Sequence, residues 1–436
     1  METPGSTTPH GEPKANAIGA DSWPVAVDET NFPDEIFRNY VKENISGADG
    51  DADTLTEDEA KAVTEIDVSR KGITSLKGIE YFTELRKLSA YKNHLRSLDV
   101  SRNTRLTELS VSNNWLTSLD ISHNTLLTEL EVGINHLTTL DVTHNMQLML
   151  LYIEGNKLRE VDVSHNTQLV GLYVTDNALT DIDVTHNTQL SSLAVSSNPL
   201  TTLDVTCNAE LVDLDITRCR LTSLDVTHNT QLEQLAVDSN RLTGLDVSHN
   251  TKLTGLYIGY NRLLALDLTH NTKLESLFAD HNSLTTLDLT HNTELDDLCV
   301  DHNNLSSLDL AHNTELESLY VDHNKLTSLD LTHNTELLGF DGGKQHARRE
   351  ATKRTDGAYG MAIDDAAFDP SKAKNMTGGV WDERSQTIII DLDHPACVTY
   401  EYETGYTEVA DYDFEPTVMT IDIKYPQESS DQTELP

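Results

Sequence analysis

From Leu95 onward the chain repeats itself every 21 residues without an insertion, and few sequence features restrict a fold as tightly. LRSLDVSRNTRLTELSVSNNW is followed by LTSLDISHNTLLTELEVGINH. Units begin at Leu95, Leu116, Leu137, Leu158, Leu179, Leu200, Leu221, Leu242, Leu263, Leu284 and Leu305, with a partial unit from Leu326. Ile73 to His94 is a 22-residue relative that lacks the LDVTHN half. Read across its own boundary, the unit LTxLDVTHNTxLxxLxVxxNx contains LxxLxVxxNxL, the pattern of a leucine-rich repeat. A single unit cannot bury its leucines, whereas stacked coils merge them into one core. About twelve coils at a strand spacing of ~4.8 Å predict a rod roughly 60 Å long. Apolar alternation predicts two short extended segments per coil, one around Leu109–Val111 and one around Leu98–Val100.

Composition narrows the partners. Of 436 residues, 31 are Lys or Arg and 72 are Asp or Glu, giving −41 at pH 7. Phosphate binding needs clustered cations, so nucleic acid is excluded as a partner and an anionic membrane surface is disfavoured. No apolar run approaches the ~18 residues of a membrane-spanning helix. Low hydrophobicity with high charge is a disorder signature, but here the apolar residues recur at fixed places. Cys207, Cys219, Cys299 and Cys397 are too few for a disulfide framework and lack zinc-site spacing. Cys207 and Cys219 fall in turns at opposite ends of one coil, which argues against a bridge between them.

The flanks differ in kind. Residues 1–24 read as a disordered leader and 25–72 as a helical cap, with FPDEIFRNYVKENI periodic and Thr56 and Glu59 in capping-box spacing. The repeats occupy 73–340. A basic connector is expected over 341–355, a small β domain over 356–426 on the strand signals TIIIDLD, CVTYEYE and VMTIDIKY, and a flexible tail over 427–436. The expected fold is therefore a leucine-rich-repeat solenoid, a curved rod of short parallel strands with an N-terminal helical cap and a small C-terminal β domain.

NFPDEIFRNYV, the join AVTEIDVSRKGITSLKGIEYFTELRKL, the LDVSxNTxL half-repeats and FDPSKAKNMTGGVWD resemble the bacterial leucine-rich-repeat surface proteins called internalins. The likeness spans roughly 31–425 and is in particular to the internalin J type, whose repeats are also 21 residues long. The resemblance implies a surface-displayed or secreted, adhesin-like protein. That type often stacks a cysteine ladder where this chain has Val111, Val132, Ile153 and Val174. No LPxTG-like sorting signal or lipidation motif follows the β region, so release, or a longer parent chain, is expected. METPGSTTPHGEPK lacks the apolar run of a secretory signal, although Ala15–Ala17 has the AxA form of a cleavage site.

Columns of identical residues are read first as scaffold. Asp99 through Asp330 recur once per coil, each two residues before a Ser, Thr or Ala, and suit turn hydrogen bonding better than a cation column. Two Asn ladders, from Asn103 and Asn114, suit the N–H and C=O groups of adjacent turns. A His column from His123 to His333 fits exposed turns, with metal binding or a pH switch as the alternative. Positions that vary around the strand are the better site. They bring Tyr152, Tyr173, Tyr257, Phe278 and Tyr320, with Tyr260 just beyond, onto the face that is concave in such solenoids. Asp280, Asp301 and Asp322 join that face, each followed by His281, His302 or His323. This DHN triplet is open to two readings, a divalent-metal site such as Zn²⁺ or a recent duplication. In GADGDADTLTEDEA, Asp49, Asp51, Asp53 and Glu59 resemble an EF-hand loop for Ca²⁺, but one residue out of register and without the loop glycine, so helix capping is the competing role.

No GxSxG, HExxH, P-loop or GxGxxG motif is present, and no enzyme activity or cofactor is expected. The expected function is a monomeric, non-catalytic extracellular or cell-surface binding protein that recognises a host or neighbouring-cell protein or glycan through the concave face. The alternative is a rigid acidic spacer holding a further C-terminal domain away from the cell wall. A third reading is metal sequestration by the His columns.

Overall fold

The computed structural model describes residues 23–363, 365–405 and 417–426. The Ala15–Ala17 motif, nearly all of the expected leader and the 427–436 tail lie outside them. Trp23, within the expected leader, packs on the cap, its ring meeting Tyr81 edge-on at 5.9 Å.

One parallel sheet of fourteen strands dominates, running in chain order from Glu65–Asp67 to Gly339–Asp341. Each coil supplies one three-residue strand, and neighbours pair in strict register, as in Leu130 with Leu151 and Leu151 with Leu172. The central residue of each strand, leucine in all but the first (Ile66) and the last (Phe340), points inward and is buried, while its neighbours lie on the outer face. This follows from the two-residue period of a strand. Leu148, Val142 and Ile153 of the Leu151 unit and Leu158, which opens the next, are buried with it, so the core is a continuous stack.

The second extended segment does not form a sheet. Along the Leu98–Val100 position only one isolated bridge is present, Asp99 with Asp120. The sequence DVTHN spends its backbone groups on turns instead. In one coil the Thr143 N–H donates to Asp141 Oδ1 at 2.9 Å, Asn145 N–H to the Val142 carbonyl at 3.0 Å, and Leu148 N–H to the Asn145 carbonyl at 3.1 Å. The Val142 carbonyl also accepts from Asn166 Nδ2 of the following coil at 2.9 Å, which takes it out of any ladder at that position.

The two Asn ladders differ. In the row after the strand, Asn135 accepts from Leu116 N–H at 3.0 Å and donates to the Val111 and Val132 carbonyls at 3.1 Å. In the DVTHN row, Asn145 donates to the Ile121 and Asn124 carbonyls, but no donor of the described residues reaches its buried Oδ1, and the same holds for that atom from Asn103 to Asn334. The expectation that both ladders satisfy N–H and C=O groups is therefore corrected for this second row, which serves carbonyls alone. The Asp column is structural: Ser or Thr hydroxyls two residues on, followed by their N–H groups, hold Asp99, Asp120, Asp141, Asp162 and Asp183 below the usual carboxylate range. Cys207 is exposed, Cys219 buried, and both are free thiols.

Helix α1 (Glu35–Asn44) and helix α2 (Glu57–Ala62) close the N-terminal end. Asp34 caps α1 through the N–H groups of Ile36 and Phe37, and its other oxygen takes the Thr74 N–H and hydroxyl at 2.8 Å, tying cap to first repeat. At the far end, two four-stranded sheets follow. The basic stretch expected as a connector is a strand, Lys344–Glu350, parallel to Val418–Lys424. Gln345 lies 21 residues after Asn324 and completes the ladder, accepting from Leu326 N–H at 3.2 Å and donating to the Val321 carbonyl at 2.9 Å. Alternating burial along Lys344–Glu350 anchors it further, with Gln345 and Ala347 inward. Tyr400 donates to the Thr327 carbonyl at 2.9 Å, and Asp365 accepts from the Thr327 and Ser328 hydroxyls, which joins the end unit to the last coil. Among the described residues no helix is long and apolar enough to cross a membrane.

Candidate functional site on the sheet face

The solvent face of the parallel sheet carries the side chains that vary from coil to coil. Tyr152 and Tyr173 stand on paired strands and stack with ring centres 4.6 Å apart and planes within 2°. Tyr257 and Phe278 form a second pair, at 5.3 Å and 20°. Two glycines make room for these rings. A Cβ on Gly171 would lie 3.0 Å from the Tyr173 ring, and one on Gly255 would lie 2.9 Å from the Tyr257 ring. The GLY tripeptides at 171–173 and 255–257 were the sequence signal for flattened tyrosines, and periodicity alone does not disclose it. Tyr320 is exposed, one coil beyond Cys299, and among the described residues no ring stacks on it.

Next to the strand, each coil passes through one left-handed residue. Among these are Asn113, Ile134, Asp176, Ser197, Arg218, Ser239, Tyr260, His281, His302 and His323, with φ between 50° and 58°. The shared backbone angle projects them in one direction. Tyr260, His281, His302 and His323 consequently form a continuous stack with ring centres 4.1, 4.1 and 4.2 Å apart. Tyr260 thus belongs to the histidine stack and not to the strand aromatics with which the sequence grouped it.

The preceding residues form an acidic row. His302 Nδ1 lies 2.6 Å from Asp301 Oδ2, His281 Nδ1 lies 3.1 Å from Asp280 Oδ2, and His323 Nδ1 contacts Asp322 Oδ2. The three Asp side chains are largely buried, at 15–17% exposure. Asp238 continues the row. Burial pushes its carboxyl up to about 6 despite the N–H bond from Gly259, with the charges of Asp280 and Asp215 acting in the same direction as burial. Burial, reinforced by Asp322, likewise raises Asp341. Burial also drives the Cys299 thiol strongly upward, and it donates to Asp301 Oδ1 at 3.0 Å. This end of the sheet therefore concentrates negative charge that folding itself resists.

The acidic N-terminal loop is not gathered in this way. Glu59 accepts from the Gly47 and Ala48 N–H groups through Oε1 and from the Thr56 N–H and hydroxyl through Oε2. Asp53 pairs with Lys42 at 2.5 Å, while Asp49 and Asp51 cap N–H groups within the loop. Both Glu59 oxygens are committed to backbone and hydroxyl donors, as the capping role requires. Among the described residues the groups of three ligand atoms close enough for one ion are confined to the His281–His323 stack.

A sequential parallel sheet, one strand per 21-residue coil, with Asn ladders at the turns, defines a leucine-rich-repeat solenoid, and the family described as Leucine Rich repeat matches residues 112–129. The functional domain of InlJ from Listeria monocytogenes, described as including a cysteine ladder, is 32% identical, with 92% of this chain and 99% of that one covered at a TM-score of 0.70. The chain belongs to the internalin family of leucine-rich-repeat proteins. The internalin InlF of the same species (22% identity, 74% of this chain and 99% of that one, TM-score 0.69) shares the fold. So does the leucine-rich-repeat protein LIC12759 of Leptospira interrogans (23%, 67% and 81%, TM-score 0.61). No curated protein sequence matches the chain. In place of a cysteine ladder, Val111, Val132, Ile153 and Val174 form a fully buried aliphatic row.

Proposed function

We propose that this protein is a non-catalytic extracellular binding protein that engages a protein or glycan on a host or neighbouring cell through the sheet face, the concave side of such solenoids. Leucine-rich-repeat solenoids of this type are typical of protein-binding adhesin and receptor domains. The observation that carries the reading is the pair of aromatic stacks, Tyr152–Tyr173 and Tyr257–Phe278. Their rings are half-exposed, stacked in pairs and carried on paired strands of one sheet, so little side-chain entropy is lost on docking. Aromatic anchors of this kind dominate binding energy at interfaces. The acidic row beyond them favours a partner with a basic rim, which acts chiefly on association rate and selectivity.

The test is a protein and glycan array probed with the full chain, followed by Tyr152→Ala/Tyr173→Ala on whatever ligand is found. The double variant is expected to bind at least tenfold more weakly while melting as the parent does. Unchanged binding would refute the sheet-face assignment.

A further inference from the structure

We propose that the histidine stack binds one divalent transition ion of the zinc class, with His302 as the ligand every arrangement shares. The ligand atoms of His281, Asp301 and His302 lie within 4.8 Å of one another, and so do those of His302, Asp322 and His323. Each trio offers two imidazole nitrogens and one carboxylate oxygen, a set that suits zinc, nickel or copper and leaves coordination positions open. Calcium and magnesium prefer all-oxygen shells and are poorly served. Both trios draw on His302, so filling one removes a ligand from the other, and the stoichiometry is one ion per chain.

Three further observations point the same way. The left-handed position carries at least seven residue types in the coils before it, so the turn itself does not demand histidine. The Asp301 carboxylate is already oriented: the Cys299 thiol holds Oδ1, which turns Oδ2 towards His302 at 2.6 Å and His281 at 3.8 Å. The histidines are 34–51% exposed while their carboxylates are largely buried, so the open positions of the ion face solvent on the proposed binding surface. An imidazole bound through Nδ1 carries its proton on Nε2, so a neutral ring needs only a change of tautomer and gives up no proton. Rings stacked at 4.1 Å must turn about χ2 to aim two lone pairs at one point, so the ion replaces at least one ring contact.

The experiment is calorimetric titration of chelator-treated full-length protein with ZnCl₂, in parallel with His302→Asn and with the control His165→Asn/His249→Asn, which alters the outer turn column. Asn occupies the same left-handed position at Asn113, so the single variant is expected to fold and melt normally. Expected are one equivalent of zinc at micromolar affinity or tighter, at least a tenfold loss in His302→Asn, and no change in the control. Wild-type binding that survives His302→Asn, binding abolished by the outer-column control, or no uptake at a tenfold excess of zinc would each overturn the proposal.

Discussion

Cys219 interrupts an otherwise continuous ladder, which makes it a direct measure of what one rung contributes. In the coils on either side, Asn198 and Asn240 accept from the Leu179 and Leu221 N–H groups at 2.9 and 3.0 Å, and each donates to two carbonyls at 2.9–3.0 Å. At Cys219 the Leu200 amide meets sulfur, and the thiol lies 3.6 Å from the Val195 carbonyl and 3.8 Å from that of Thr217. Cys219→Asn should replace these weak contacts with three amide hydrogen bonds. Each is worth about 1 kcal/mol net, from which the burial of a second polar group on the new side chain must be subtracted, leaving about 1–2 kcal/mol. For a chain of this size that corresponds to a rise in melting temperature of about 1–2 °C. Calorimetry reads the melting temperature, and hydrogen exchange at the Leu200 amide reads the rung itself, whose protection should increase. Cys219→Ala supplies none of the bonds and should be less stable than the parent. If Cys219→Asn melts at or below the parent, or if it gains no more than Cys219→Ala, the ladder argument is wrong.

Two other perturbations probe charge and the far end of the rod. Asp238 is held at about 6 in the folded chain, above the ~3.9 of an unfolded aspartate. Folding therefore favours its protonated form, and the resulting deficit is absent below about pH 4 and grows as pH rises through about 6. Asp238→Asn should stabilise the protein by about 1–2 kcal/mol near pH 8, allowing for solvent screening, and hardly at all near pH 4, as urea unfolding at the two pH values would reveal. Tyr400→Phe removes the bond to the Thr327 carbonyl and should cost about 1–2 kcal/mol, with protection against exchange lost first in the C-terminal sheets.

The solenoid was legible because its determinants are local and recur. Inward leucines at fixed spacing and the Asn rows specify coil, core and turn within each unit, and the capping box at Thr56 and Glu59 formed as the spacing predicts. The half-repeat at Leu98–Val100 misled because LDVT has the alternation of a strand, yet Asp141 and its equivalents capture the N–H two residues on before a ladder can use it. The stretch 341–355 misled in a different way. Its basic residues alternate with buried ones, and its Gln345 sits in ladder register, but its partner strand Val418–Lys424 lies more than seventy residues away.

What the sequence by itself determined is the repeat, and with it a rod whose stability is a sum over neighbouring coils. It also determined which columns vary, hence where Tyr152, Tyr173 and the DHN triplets stand. Only the tertiary structure decided how those columns meet. The pairing of tyrosines over glycines, the separation of Tyr260 from the strand aromatics, and the sharing of His302 between two ligand sets depend on ring orientation and on a left-handed backbone angle. Those are properties of adjacent coils in contact, across 21 residues of chain, and no single repeat contains them.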